Sequence, residues 1–335
     1  MTDPSKLPAE AAAISAKGSP NVRAFAIDSA AVAVDHEARL AKLEAAQPGP
    51  VTPPPAPTPT PPPAPTPTPP ATMRVGVTAN EDGWGLSRQK LVLAMGAKLL
   101  REDRNDWSIP FARANGLTTI GVIYLDPLSV GTGCDIIELD NEPWNTPWVN
   151  GDVHAYAVKV RDLAKQVRAA YPSKPILVSV GPPWNNGDVQ LPDGTWRDCV
   201  LAYNDAAPDL WGYVTGVAIH PYSQPNPPVP GVMGILDKWR GNLRAVGHDL
   251  PFWVTEVGWP TTAGSGSVTE ALQATYVGDF IDHCAARGDV AAVTVYQLVD
   301  QATSDTGNAE MHFGLMHTDG SPKPAYAAVK SRLTA

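Results

Sequence analysis

The chain has 335 residues and a formal net charge of −9, with 43% hydrophobic and 18% charged residues. Such length and apolar content exclude a disulfide-stapled miniprotein and a wholly disordered chain, and the acidic balance argues against nucleic acid as a partner. Cys134, Cys199 and Cys284 lie far apart without metal-ligand spacing and read as buried thiols.

In chain order, the opening MTDPSKLPAE lacks the basic start and apolar stretch of a secretory signal. No apolar run approaches the ~20 residues of a membrane helix, so no membrane span is expected. Residues 1–47 form the first segment. Within it, 19–46 are Ala-rich with strong helix formers and predict a short helix, too small to pack as a domain. Its apolar face either frays or is buried against another chain, which makes it a candidate for self-association or attachment. Residues 48–72 form a linker. It contains 14 of the 36 prolines and carries PPPAPTPT twice in tandem, at 53–60 and 61–68. Proline fixes φ and removes the amide donor, so this run predicts an extended polyproline-II rod of ~3.1 Å per residue, roughly 70 Å long.

Residues 73–335 hold all ten Trp, all nine Tyr and every Phe except Phe25, and they form the substantive domain. Eight apolar strand-like runs alternate with helix-like runs across it. The strand candidates are 73–80, 97–103, 118–125, 134–143, 175–183, 214–222, 251–259 and 290–298. Helices are predicted over 87–96, 109–115, 153–171, from 197 past 203, over 234–246 and 268–288, and from 324 onward. That count and size predict a (β/α)8 TIM barrel. Only residues 126–133 separate the third and fourth strand candidates. Either the third helix is lost or reduced to one turn, or the third strand is misplaced.

In such a barrel the chemistry sits at the C-terminal ends of the strands. Strand four ends in Asn141-Glu142-Pro143-Trp144, strand six in His220-Pro221-Tyr222, and strand seven in Thr255-Glu256-Val257-Gly258-Trp259. Alternation along the strands sends Glu138, Asp140 and Glu142 inward, puts His220 and Tyr222 on one face, turns Tyr296 inward on strand eight, and leaves Trp253 on the outer face of strand seven. Two carboxylates across one cleft are what glycoside hydrolysis requires. The histidines are dispersed, and the chain has neither a Gly-rich phosphate loop nor a Gly-x-Ser-x-Gly elbow. Trp144, Trp148, Trp184 and Trp259 follow strand ends, where flat indole faces could stack on sugar rings.

IIELDNEPW, VAIHPYSQP and FWVTEVGWPT resemble the fourth, sixth and seventh strands of the retaining (β/α)8 glycoside hydrolases, the superfamily of the cellulases, mannanases, β-xylosidases and endo-galactanases. The resemblance spans 73–335. It implies Glu142 as general acid/base, Glu256 as nucleophile and Asn141 as the partner of the sugar 2-hydroxyl. It also implies Tyr222 as the holder of the nucleophile, His220 as its neighbour, and Arg101 as the cation that keeps the nucleophile charged. Glu142 must then be protonated while Glu256 is not, so the two environments must differ. Where the family often places Trp at the end of strand eight, this chain has Tyr296, a candidate substitute.

The expected function is therefore a retaining endo-β-glycosidase acting on a polysaccharide, with no metal or organic cofactor. The alternative is a carbohydrate-binding or virion structural protein on a weakly active hydrolase barrel. An aldolase-type barrel would need a Schiff-base lysine, for which only Lys98 stands near a strand. A helix, a Pro-Thr spacer and a glycan-cleaving domain suit a virion-associated or extracellular enzyme.

Overall fold

The computed structural model describes residues 73–79, 86–103, 108–124, 133–145, 152–181, 187–302 and 307–333. The helix expected over 19–46, the rod over 48–70, and Trp148 and Trp184 lie outside the described residues.

Eight parallel strands close into a barrel. They are β1 (Arg74–Ala79), β2 (Leu99–Asp103), β3 (Thr118–Ile123), β4 (Ile136–Leu139), β5 (Ile176–Ser179), β6 (Gly216–Ile219), β7 (Phe252–Val257) and β8 (Val290–Val295). They follow one another in chain order, and β8 closes onto β1 through Arg74↔Ala292 and Val77↔Val295. Among the described residues, α1 (Leu86–Met95), α2 (Ser108–Ala114), α3 (Val153–Ala170), α4 (Cys199–Ala206), α5 (Gly231–Ala245), α6 (Glu270–Arg287) and α7 (Pro324–Leu333) accompany the strands. A short antiparallel hairpin, Asp188–Gln190 with Trp196–Asp198, precedes α4.

The long helices carry their own signals. In α3 the residues Tyr156, Ala157, Val160, Leu163, Ala164 and Val167 recur at helical spacing and are buried, and Asp152 caps the start by accepting from the Ala155 amide at 3.0 Å. In α6 Thr269 caps the start and Gly288, at φ 70°, ends the helix in the left-handed region that glycine enters without steric cost.

Residues 125–132, which make up most of the connection between β3 and β4, lie outside the described residues, and the expectation of a lost or one-turn third helix falls on them. The third strand lies where expected and pairs with β4 from Ile120↔Ile136 to Ile123↔Leu139. On its outer side Gly121 lets Cys134 pack close, since a Cβ at 121 would meet the Cys134 side chain at 2.8 Å. Cys134, Cys199 and Cys284 are all free and buried.

The barrel interior is layered. Leu99, Ile120, Ile136, Leu177, Ala218 and Ala292 form one compact apolar cluster in its lower half. Two residues further along their strands, Arg101, Glu138, Ser179, His220 and Thr294 replace apolar groups with a hydrogen-bonded polar layer. A period of two puts both sets on the inner face.

One prediction fails here. Trp253 packs against the inner cluster, not in the helix layer. The cause is a register shift on β7: Val254 pairs with Val293 and Val257 with Val295, so Thr255 and Glu256 together oppose Thr294 alone. Such a bulge breaks strict alternation, which lets Trp253, Thr255 and Glu256 all face inward. The Thr255 carbonyl left beside the bulge accepts from the hydroxyls of Thr294 and Thr78.

Candidate active site

The site is built on Arg101, which is buried in the middle of β2. Its Nε donates to Glu138 Oε2 at 2.7 Å, one terminal nitrogen to Glu256 Oε1 at 2.5 Å, and the other to Asn141 Oδ1 at 2.8 Å. The planar guanidinium thus ties β4 to β7 across the barrel, a geometry lysine cannot reproduce. Because Asn141 accepts through Oδ1, its amide donors are the groups left for a ligand.

Glu256 is held at both oxygens, since Tyr222 donates to Oε2 at 2.7 Å. Burial, and then the charges of Glu256 and Glu142, push the Tyr222 phenol well above its usual value, so it stays a donor. Glu142 stands opposite. One of its oxygens, one of Glu256 and a ring nitrogen of His220 lie within 4.8 Å of one another. The Glu142 side chain is 23% exposed, against 11% for Glu256, so the more open carboxyl faces the cleft.

His220 links the carboxyls. Nδ1 lies 2.9 Å from Glu142 Oε1, and Nε2 lies 3.1 Å from Thr255 Oγ1, whose hydroxyl donates to Glu138 Oε1 at 2.9 Å. Burial alone would lower the imidazole. The charge of Glu256, the hydrogen bonds to Glu138 and Glu142 and the charge of Glu142 outweigh it and raise the ring to about 10. At Glu138 burial pushes the carboxyl up, but Arg101 and His220 together hold it down at about 2.

The backbone that presents Glu142 is unusual. Asp140 has φ 64° and Glu142 φ 43°, both in the left-handed region, at a cost of order 1–3 kcal/mol each. Asp140 therefore does not share the inward face expected of it: its Oδ2 accepts from the hydroxyl of Tyr156 on α3 at 3.1 Å and its Oδ1 from the Asn141 amide at 2.9 Å. These bonds brace the turn that sets Glu142 at the mouth.

The aromatic expectations divide. Tyr296 follows β8 at the site, half-buried, its ring edge-on to Phe313 at 5.5 Å. Its phenol is also pushed up, first by burial and then by Glu256. Trp144 and Trp259 are not open platforms. The 3-10 turn Pro143–Asn145 folds Trp144 back against His220, edge-on at 6.0 Å. Trp259 is fully buried, donates to the Asn226 carbonyl at 2.9 Å and packs on Tyr276 and Phe280 of α6. A position just after a strand end does not reveal whether the chain next turns outward or folds back.

The sequence reading missed Glu310, on the 3-10 turn Ala309–His312 beyond β8. Its carboxyl is raised by desolvation and then by the charges of Glu142 and Glu256, so it is a further acid, beside Glu138, within electrostatic reach of the pair. Its only signal in the sequence is an acidic residue in the loop after the last strand.

Over residues 242–327 the chain matches the family model Glycosyl hydrolases family 17, a stretch that includes Glu256, Tyr296 and Glu310. No curated protein matches the chain significantly. Among solved structures it is similar to a family 39 glycoside hydrolase from the gut symbiont Bacteroides cellulosilyticus WH2, with TM-score 0.58 and 20% identity over 78% of this chain and 64% of that one. It is also similar to CJP38, a β-1,3-glucanase and allergen of Cryptomeria japonica pollen, with TM-score 0.55 and 17% identity over 75% and 97% of the two chains. A third likeness is to a GH128 endo-β-1,3-glucanase from Amycolatopsis mediterranei, with TM-score 0.53 and 17% identity over 77% and 98%. The chain therefore spans just under two thirds of the family 39 enzyme and nearly all of the two glucanases, and at these identities the likeness is one of fold. The chain thus forms a closed (β/α)8 barrel with two facing glutamates at its mouth, and within it residues 242–327 match a glycosyl hydrolase family model.

Proposed function

We propose that the protein is a retaining, endo-acting β-glycosidase in which Glu142 is the general acid/base and Glu256 the nucleophile. The observation that carries this reading is the approach of the two carboxylates to within 4.8 Å at their nearer oxygens. Retention needs carboxyl groups about 5–5.5 Å apart, whereas inversion leaves room for a water at roughly 6.5–9.5 Å. In the first step Glu142 protonates the glycosidic oxygen while Glu256, already oriented by Arg101 and Tyr222, attacks the anomeric carbon. In the second step Glu142 takes a proton from the water that releases the sugar. In this reading the Asn141 amide donates to the sugar 2-hydroxyl, which is supported by its Oδ1 being held by Arg101.

The β-1,3-glucanases among the structural neighbours favour a β-1,3-glucan as substrate, and the endo-β-1,3-glucanase among them favours internal cleavage. The test is hydrolysis of laminarin beside cellulose, mannan and galactan, with Glu142→Gln as control. Short oligosaccharides appearing early from laminarin, and none with the variant, bear the reading out. Equal and negligible turnover by both proteins, with glycan binding retained, would make the barrel a binding module. The Pro-Thr-rich stretch and the Ala-rich segment 19–46 favour action outside the cell or on a virion, which mass spectrometry of culture supernatant and of purified virions distinguishes.

A further inference from the structure

We propose that His220 stores on Nδ1 the proton that Glu142 delivers to the glycosidic oxygen, and that the charge on Glu256 times its release. The proposal rests on the assignment of Glu142 and Glu256 above, and it makes His220 a positioning residue that acts through Glu142.

Hydrogen bonding assigns the two ring nitrogens different duties. Glu138, charged and clamped by Arg101, can only accept, so the Thr255 hydroxyl spends its hydrogen on Glu138 Oε1. The oxygen of Thr255 must then accept from Nε2, which keeps its proton throughout. Nδ1 is left as the labile nitrogen, 2.9 Å from Glu142 Oε1 and 3.7 Å from Glu256 Oε2. One proton is therefore shared by Nδ1 and Glu142, and it resides on whichever the surroundings favour.

Those surroundings are as follows. Glu138 lies 3.6 Å from Nε2, Glu142 and Glu256 flank Nδ1, and Arg101 stands behind Glu138 and Glu256. The rings of Trp144 and Tyr222 meet the imidazole edge-on at 6.0 and 6.4 Å. Tyr296 and Glu310 lie beyond, within electrostatic reach of Glu142 and Glu256. Three carboxylates thus surround one imidazolium, and in the free enzyme the proton sits on Nδ1. The ring's raised affinity for protons, with Glu256 as its foremost attractive charge, agrees with this placement.

The reaction changes that balance. As a Glu256 oxygen gives its electron pair to the anomeric carbon, its charge is consumed and the attraction that held the proton on Nδ1 falls. The proton passes from Nδ1 to Glu142 and on to the leaving oxygen, which keeps the electron pair of the broken C–O bond. In the glycosyl-enzyme His220 is neutral and Glu142 is an anion ready to act as base. Water then attacks, its proton goes to Glu142, the ester bond breaks, and the returning charge on Glu256 draws that proton back to Nδ1. Atoms and charge balance over the cycle with no other reactant.

The test compares wild type with His220→Asn, which can still donate to Glu142 but cannot titrate. A 2,4-dinitrophenyl β-laminaribioside needs no proton to expel its leaving group, whereas laminarin does. The expected loss in kcat/KM is about 10²-fold or more on laminarin and below about 3-fold on the aryl glycoside, with the alkaline limb of the laminarin profile shifted to lower pH. Equal losses on both substrates, or an unmoved alkaline limb, would overturn the proposal. Glu142→Ala separates this from a failure of the underlying assignment: if that variant shows no leaving-group split, Glu142 is not the acid, whatever His220 does. A second measurement needs no variant. Ring nitrogen NMR of wild type should show His220 doubly protonated when free and neutral at Nδ1 after trapping with 2,4-dinitrophenyl 2-deoxy-2-fluoro-β-laminaribioside. An imidazolium unchanged in the trapped enzyme contradicts the mechanism.

Discussion

The two halves of the barrel interior are built from the same strands two residues apart, yet they do opposite things. Leu99, Ile136, Leu177 and Ala218 fill the lower half by shape alone. Arg101, Glu138, Ser179 and His220, the next inward residues on those strands, fill the upper half with charge. The lower layer gains from burial of apolar area and from close packing, and it tolerates volume-conserving change. In the upper layer each charge has been removed from water and is stabilised only by its partners, so the whole depends on every member being present. A barrel can hold such a layer because the lower half and the helix layer fix the strands that carry it.

The contrast yields predictions of decreasing size. Glu256→Ala should abolish glycan hydrolysis, by about 10⁴-fold or more in kcat, while leaving the lower layer intact, as read by turnover and by thermal unfolding. Arg101→Met leaves Glu138 and Glu256 facing each other without their shared cation, and should cost about 3–5 kcal/mol in urea unfolding together with most of the activity. Leu177→Ala in the lower layer should cost about 3 kcal/mol in the same assay but leave kcat unchanged wherever the protein remains folded. A large kcat effect there would break the separation of the layers.

pH provides a subtler probe. The folded value of His220, about 10, lies above its ordinary 6.5, so its contribution to stability is complete below 6.5 and is lost as pH rises through about 10. Glu138, held at about 2 against an ordinary 4.5, contributes fully above 4.5 and loses its contribution as pH falls through about 2. Urea unfolding of Leu177→Ala should therefore run parallel to wild type across pH, whereas His220→Asn should flatten the alkaline fall. The smallest effect belongs to Tyr156→Phe, which removes one hydrogen bond to Asp140 and should cost about 1 kcal/mol by urea unfolding.

Much of this was legible before the structure. The eight strand runs are visible because barrel strands buried on both faces read as apolar stretches bounded by polar ends. The carboxylate pair is visible because its two motifs fall on the fourth and seventh of those runs. Three things were not. The bulge at Thr255 and Glu256 inserts a residue without changing composition, so alternation alone placed Trp253 on the wrong face. The positive φ values at Asp140 and Glu142 turn Asp140 towards α3, a backbone choice that no side-chain pattern encodes. Trp144 and Trp259 looked like platforms because their strand-end positions are right, but the turns that fold them inward depend on tertiary packing with His220 and α6.

The central claim is that Glu256 forms a bond to sugar while Glu142 supplies and removes the proton. Incubation with 2,4-dinitrophenyl 2-deoxy-2-fluoro-β-laminaribioside, followed by peptide mass spectrometry, tests it directly. The account predicts one fluoroglycosyl group per chain, on the peptide containing Glu256, with activity lost in proportion. Turnover of laminarin with inverted product configuration and no label, or a label on any other residue, would contradict it.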